Sequence, residues 1–430
     1  MSPKKPSPNS PARPASGRVW QGMFSALSIR NFRLYWLGLV TLFFAGQLQQ
    51  PAQAWLAYEI THSPLKLTLV LAMQSVPMIL LSLYSGVIID RIQKRKVIII
   101  TQIITAVIAL FIAILITTNR IEYWHLLLAS FAGGINAAFN MTARNSIVAE
   151  LVPPERLFNA IAISNAGANA ASVAGPAISG ILIGVIGVQG AYFTGIGFYI
   201  IGIIIISLLP ATSTLGRMAV GSVRKNLTEG LNYLRLQKIV VLLLILEMGL
   251  TFFGMCYQGL MPVFADLLSL KSEGYGFMLA AAGVGSMLGS LAIASLGNYK
   301  RKGTILIVAG ILFGVALLVF SNLTGLGKAL HVDTARLYIV SLILGAAGIF
   351  GTAYSTTSIT AIQMNIADEY RGRVTSVYGM VLGFYPIATL VIGAVAESLG
   401  APLALTIAAG CLVLFITVVA TISPRLRHLE

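Results

Sequence analysis

Twelve apolar stretches, most of them about 20 residues long and nearly free of charge, run in series through this 430-residue chain. They lie at 33–57, 66–89, 97–117, 123–142, 158–187 and 191–210, then at 239–263, 274–296, 303–322, 336–361, 374–396 and 401–422. A helix rising 1.5 Å per residue needs about 20 such residues to cross the hydrocarbon of a bilayer. The fifth stretch is long for one crossing, so it is tilted or broken. Hydrophobic residues make up 57% of the chain and charged ones 10%, against about 25% charged in an ordinary soluble protein. So few charges do not cover a water-facing surface. The pattern predicts an all-α integral membrane protein of twelve transmembrane helices, with the lipid bilayer as its solvent.

The connections test that count. If the chain crosses twelve times, both termini and every second loop share one side. That side holds 24 of the 29 lysines and arginines; the other holds Lys66, Arg120, Lys271, Lys328 and Arg336. Positive loops stay in the cytoplasm, and a miscounted helix would scramble the alternation beyond the error. The expectation is a multi-pass protein of the cell membrane with both termini cytoplasmic. The net charge of +15 is then topology, and no nucleic-acid partner is expected. Residues 1–30 read as a Pro/Ser-rich basic tail with an interfacial segment, without the cleavage site of a signal peptide. The longest internal gap, 211–238, is polar and basic; it separates a bundle at 31–210 from one at 239–422, and 423–430 form a tail. Cys256 and Cys411 both sit in apolar runs, which predicts packed thiols and no disulfide or metal. Without a Walker loop or a His/Cys cluster, no cofactor is expected. Trp55 and Trp124 are placed near outer span ends, as interface anchors.

The two halves echo each other. The segment Ala149-Glu150-Leu151-Val152-Pro153-Pro154-Glu155-Arg156 has its counterpart at Ala367-Asp368-Glu369-Tyr370-Arg371-Gly372-Arg373, and each precedes a span that carries a proline, Pro176 or Pro386. After the second span stands Gly86, followed by Asp90, Arg91, Gln93, Lys94, Arg95 and Lys96. An acid at a helix end pairs with a base or caps a neighbouring helix N-terminus, a contact that forms in one conformation and breaks in another. The counterpart at Gly297 to Gly303 has the bases Lys300, Arg301 and Lys302 but no acid. In the fifth span, Gly175, Pro176 and Gly180 combine a helix-bending proline with glycines that admit a close neighbour.

The loop from Gly86 to Lys96 resembles the G-x-x-x-D-R-x-x-[RK]-[RK] signature of the major facilitator superfamily, with Gln93 where glycine is usual. Gly175-Pro176 to Gly180 resembles the G-P-x-x-G motif of that superfamily's exporters, associated there with antiport; a packing kink without directional meaning is the alternative. Asn31-Phe32-Arg33, Thr61-His62-Ser63-Pro64, Arg144, the Pro153-Pro154-Glu155 turn, Asn159-Ala160 and Arg371-Gly372-Arg373 look like a narrower branch. That branch contains the enterobactin exporter and macrolide efflux proteins. The resemblance runs from about residue 30 to 422. It implies the major facilitator fold, two pseudo-symmetric six-helix bundles rocking around a midplane site, and a gating loop of Gly86, Asp90, Arg91, Lys94, Arg95 and Arg144. Many relatives carry an acid near Gln47, and often arginine and proline near Asn140 and Thr142, so roles resting on those groups do not transfer.

Charge inside a membrane is costly and therefore a functional candidate. One acid lies well within a span: Glu247, about 12 Å from the cytoplasmic end of the seventh. Apolar surroundings disfavour the ionised form of a carboxyl group, so Glu247 is the candidate proton-coupling residue; a hydrogen-bonded structural glutamate is the other reading. Thr251 and Gln258 follow on its face. Gln47, Gln50 and Gln53 in the first span, Asn136 and Asn140 in the fourth, Asn165 and Asn169 in the fifth and Tyr354 in the tenth complete the candidate cavity lining; interhelical hydrogen bonding is the alternative for each. Such uncharged groups suit a neutral or amphipathic small molecule. The leading expectation is proton-coupled export by a monomer of the cell, or inner, membrane, with drugs, macrolides and siderophores as the substrate types. An importer or facilitator of the same fold comes next. A membrane receptor or scaffold is third, and no enzyme is expected.

Overall fold

The computed structural model describes residues 25–89, 92–210, 237–296, 301–326, 333–366, 370–423 and 426. The tail before Ser25, Asp90 and Arg91, nearly all of the central connector, residues 297–300 and the last residues lie outside this set. Described residues form helices throughout, as a chain without water to satisfy its amides requires.

The first half begins with one 3₁₀ turn (Ser25–Ser28) and α1 (Arg30–Thr61). α1 lacks the mean apolarity of the other crossings because four glutamines, Gln47, Gln49, Gln50 and Gln53, interrupt it. α2 (Pro64–Met73) and α3 (Ser75–Ile89) make the second crossing, broken at Gln74. Pro77 lacks the N–H that would bond the Met73 carbonyl, which weakens the helix at that joint. α4 (Lys94–Thr117) and α5 (Tyr123–Leu151) follow. α5 outruns the expected span by nine residues, so Arg144 stands on a helix facing the protein interior and not in a loop.

α6 (Pro154–Ser207) is two antiparallel limbs joined at Gly187. The first limb follows α1 in parallel: Trp36 donates to the Ile163 carbonyl at 3.0 Å, and Ser179 donates to the Leu48 carbonyl at 2.6 Å. The second limb returns: Tyr199 bonds Gln49, while Ile206 lies against Gly38. Gly187 has φ 75° and ψ 174°, a conformation that essentially only glycine adopts. The fifth and sixth crossings thus turn without an intervening loop.

The second half repeats the plan. α7 (Lys238–Gly249), a π-helical turn (Leu250–Gly254) and α8 (Tyr257–Leu267) form the seventh crossing. α9 (Lys271–Leu296), α10 (Lys302–Leu326) and α11 (Asp333–Met364) are the next three. α12 (Arg371–Leu382) and α13 (Tyr385–Leu399) form a crossing broken just before Pro386, and α14 (Ala401–Ile422) completes the set. Leu128, Val185, Leu342 and Ile422 are among the large apolar side chains left outward-facing, as hydrocarbon allows.

Contacts between the halves gather at the end of the molecule that carries the turns at His62, Gly187 and Gly400; we call it the distal face, opposite the terminal face where α1 begins and α14 ends. Tyr58 donates to Asp266 at 3.0 Å. Ser63 donates to Glu397 at 2.7 Å, and the Leu65 amide donates to the same oxygen at 3.2 Å. Trp55 stacks on Tyr275, centroids 5.3 Å apart. Trp55 is therefore an inter-half contact and not the membrane anchor expected, because a ring near a span end serves whichever neighbour reaches it. Trp124 is half exposed and donates to Glu122. Between these contacts Gly180 of α6 lies directly on the backbone of Gly276 of α9. At the terminal end, α3 packs on α5 and α12 on α7, each inside its own half.

A Cβ at Gly180 would overlap Gly276 backbone, so Gly180→Val is expected to hold the distal face apart. Spin labels at Thr61 and Ser398 should show a longer distance in that variant than in the parent. An unchanged distance would mean that this glycine pair does not control closure.

Candidate functional site

Three adjacent cavities share lining side chains across the middle of the molecule. The first, about 510 Å³, lies inside the first half and is walled by Gln47, Gln49, Gln50, Gln53, Gln74, Gln102, Asn136, Asn140, Tyr199 and Arg144, among others. The second, also about 510 Å³, lies between the halves. Gln47, Gln50, Pro176 and Asn169 face Tyr257, Gln258, Met261, Tyr275, Thr356 and Tyr385 there. The third, about 340 Å³, is in the second half and is bordered by Glu247, Thr251, Gln258, Ser355, Tyr378 and Tyr385. Gln47 and Gln50 border the first two; Gln258 and Tyr385 border the last two.

The amides are held in place by the helices around them. Gln53 donates to Ser130 at 2.8 Å, Asn140 donates to Thr101 at 2.8 Å, and Tyr199 donates to the Gln49 carbonyl oxygen at 3.1 Å. Asn136 is buried with Nδ2 unpartnered. Asn165 falls outside the three cavities; it borders a smaller pocket of about 230 Å³ with Tyr35, Phe43 and Arg144. A kinked helix brings the exporter-type motif to the centre: Gly175 packs on Gln47, Pro176 borders the cleft, and Gly180 meets Gly276.

Glu247 is 1% exposed. It stands on the last turn of α7, directly before the π-helical turn, whose wider ladder runs from the Met255 amide to the Leu250 carbonyl. Such turns are frequent at functional sites because they shift side chains out of register. Tyr378 donates to Oε1 of Glu247 at 3.2 Å, while Oε2 is buried without a well-formed hydrogen bond. The hydroxyls of Tyr354 and Ser358 are buried beside the same carboxyl group. Tyr354, expected on a cavity wall, instead lies in the core beside this cluster.

The loop motif is only partly within the described residues. Gly86 lies in α3, Asp90 and Arg91 lie outside the set, and Lys94 is buried in an ion pair with Glu150 of α5. Arg95 donates to the Ser207 carbonyl at the end of α6. These contacts tie α4 to α5 and α6 inside one half. Sequence reasoning misses Gln74, Gln102, Ser130 and Tyr199 as cavity residues, although a glutamine in an apolar run is the same signal that marks Gln47. Tyr378, Asp266 and Glu397 carry no local signal, since their partners lie 131 to 334 residues away.

Two carboxylates of the second half thus hold the first half at the distal face. A hydrogen bond to a charged group contributes about 1.5–3 kcal/mol, roughly twice a neutral one. Glu397→Gln should weaken the latch by about 1 kcal/mol, an approximately fivefold shift toward separation. Amide exchange read by mass spectrometry across residues 60–70 should rise accordingly; parental protection there would exclude Glu397 as a latch.

A family model described as transmembrane secretion effector matches residues 21–430. The multidrug efflux pump Tap of Mycolicibacterium fortuitum is 25% identical over 391 residues, covering 87% of this chain and 91% of Tap. Macrolide efflux protein A of Streptococcus pyogenes is 22% identical, covering 93% and 97%. The staphyloferrin A transporter of Staphylococcus aureus is 23% identical, covering 84% and 88%. Among solved structures, the nucleoside transporter NupG superposes with a TM-score of 0.67 at 16% identity, covering 91% of this chain and 98% of that one. A bacterial homologue of the human lysosomal transporter Spinster superposes at 0.60 and 14%, covering 94% and 98%. The likeness to these two structures is one of fold.

Proposed function

The chain belongs to the transmembrane secretion effector family of the major facilitator superfamily, and on that premise we propose that it exports an amphipathic small molecule in exchange for protons. The family is one of membrane transporters and not of enzymes. The relatives named for efflux support the outward direction, as does the placement of Gly175, Pro176 and Gly180 where the two halves meet.

The observation that carries the reading is the central cleft, held shut on the distal face and lined by both halves. A site shared by two bodies whose contacts among the described residues gather at one end suits alternating access. With the basic terminal face toward the cytoplasm, the closed distal face is the outer one. Substrate enters between α3 and α12, and rocking about the Gly180–Gly276 contact presents it outward. The termini are cytoplasmic in this reading, and one chain suffices.

Glu247 is the proton carrier in this scheme. Its carboxyl group borders the third cavity, which shares Gln258 and Tyr385 with the substrate cleft, and Tyr378 stands in contact to take or return a hydrogen bond as the charge changes. Of the gating-loop residues that are described, Lys94 is held by its pair with Glu150; Asp90 and Arg91 lie outside the described residues.

Reconstituted into liposomes with an imposed pH gradient, the protein should drive accumulation of an amphipathic efflux substrate such as a lipophilic dye. Glu247→Gln should lose at least about 90% of gradient-driven flux while still binding that compound, since the amide keeps the shape and lacks the titration. Full gradient-driven flux in Glu247→Gln would remove this residue from coupling.

A further inference from the structure

Among the described residues Arg144 is the one charged side chain lining the first-half cavity, and the protein leaves it poorly compensated. Its guanidinium lies 3.9 Å from the centroid of the Phe43 ring and reaches Oδ1 of Asn140 at 3.4 Å. Five N–H donors thus meet one ring and one long hydrogen bond. Among the described residues no carboxylate pairs with it. Neighbouring cations are treated differently: Lys94 pairs with Glu150, while Arg156 donates to Ser28 and to the Ser25 carbonyl. Arg144 is partly buried at the cavity wall, and the groups around it occupy few of its donors. The remaining donors face a cavity whose other polar walls are uncharged amides and hydroxyls.

We propose that this cavity receives the carboxylate of an amphipathic organic monoanion, with Arg144 as its counter-ion. One guanidinium matches one negative charge in a planar, two-bond geometry, whereas a doubly charged phosphate would leave a charge unpaired. An organic cation meets a repelling wall and no acid among the residues lining this cavity. Gln47 and Gln50 border both this cavity and the central cleft, so the head group lies against Arg144 while the apolar body extends among Tyr257, Met261, Tyr275 and Tyr385. The inference rests on reading that cleft as the substrate path, and it narrows the cargo from amphipathic molecules in general to acidic ones.

The test uses the full chain in lipid nanodiscs and three acid–ester pairs: dansylglycine, cholate and 1-naphthylacetate, each against its methyl ester. The acids should bind at least about tenfold more tightly than the esters, the scale of charge-assisted hydrogen bonds. Arg144→Gln should abolish that preference and Arg144→Lys should keep part of it. Asn140→Asp supplies an internal carboxylate beside the guanidinium; the ratio of acid to ester affinity should fall in that variant. Equal binding of acids and esters, no binding of any acid, or a preference that survives in both Arg144→Gln and Asn140→Asp would overturn the proposal. Liposome flux separates this from the transport reading: ester flux without any acid preference ends the anion site alone, whereas intact acid preference with no flux of any compound ends the transport reading alone.

Discussion

In hydrocarbon every backbone amide must find its partner within the protein, and this constraint shapes all else in the chain. It makes each crossing a helix and leaves no loop at membrane depth among the described residues. It also turns every interruption of a helix into a place that needs polar company. The interruptions here are at Gln74, the π-helical turn from Leu250 and Gly383-Phe384, with Pro51, Pro176 and Pro262 inside otherwise continuous helices. All six positions belong to or adjoin residues bordering the three cavities. Polar chambers in lipid and broken helices are therefore one feature seen twice. Several of the side chains that line the chambers stand beside these interruptions.

Apolar burial gives helices in lipid no preference for one another over the acyl chains. Close backbone approach supplies the attraction instead, and the glycines mark where it is used. Gly285 of α9 meets the Gly345 carbonyl of α11 within the second half, whereas Gly180 meets Gly276 between halves. The first contact is fixed within one half, and the second lies on the boundary that must slide. A glycine pair suits such a boundary because no side chains interdigitate across it. The hydrogen bonds of Asp266 and Glu397 then decide whether the boundary stays closed, since they are directional and exchangeable with water at the molecular surface.

The number and order of crossings are legible in the sequence because hydropathy and loop charge are summed over many residues, and one error would disturb every later loop. Single-residue positions are legible where the chemistry is local: Gln47, Gln50 and Gln258 are polar groups in apolar runs and lie on cavity walls. Hydropathy puts Arg144 in a loop because the apolar signal ends before α5 does; a helix continues past its apolar face when a charge has a cavity to enter. The ring position of Trp55 along its span is readable and suggests the membrane surface, but its partner Tyr275, 220 residues away, is not. The environment of Glu247 shows the same limit. Its burial follows from depth in the span, while Tyr378 and the buried hydroxyls of Tyr354 and Ser358 come from crossings that pattern alone does not bring together.

The placement of charge also bears on how binding and coupling relate. Arg144 lies in one half and Glu247 in the other, joined by a path of neutral groups through Gln47, Gln50, Gln258 and Tyr385. A substrate anion at Arg144 and a proton at Glu247 each lower the charge buried in their own half. On these two proposals neither ligand has to displace the other from a shared group, and coupling would pass through the conformational equilibrium, in which each ligand shifts the balance of the two states only by its difference in affinity for them. The shared linings at Gln47 and Gln258, where the bundles face each other across the cleft, are the positions at which that difference is felt by both halves at once.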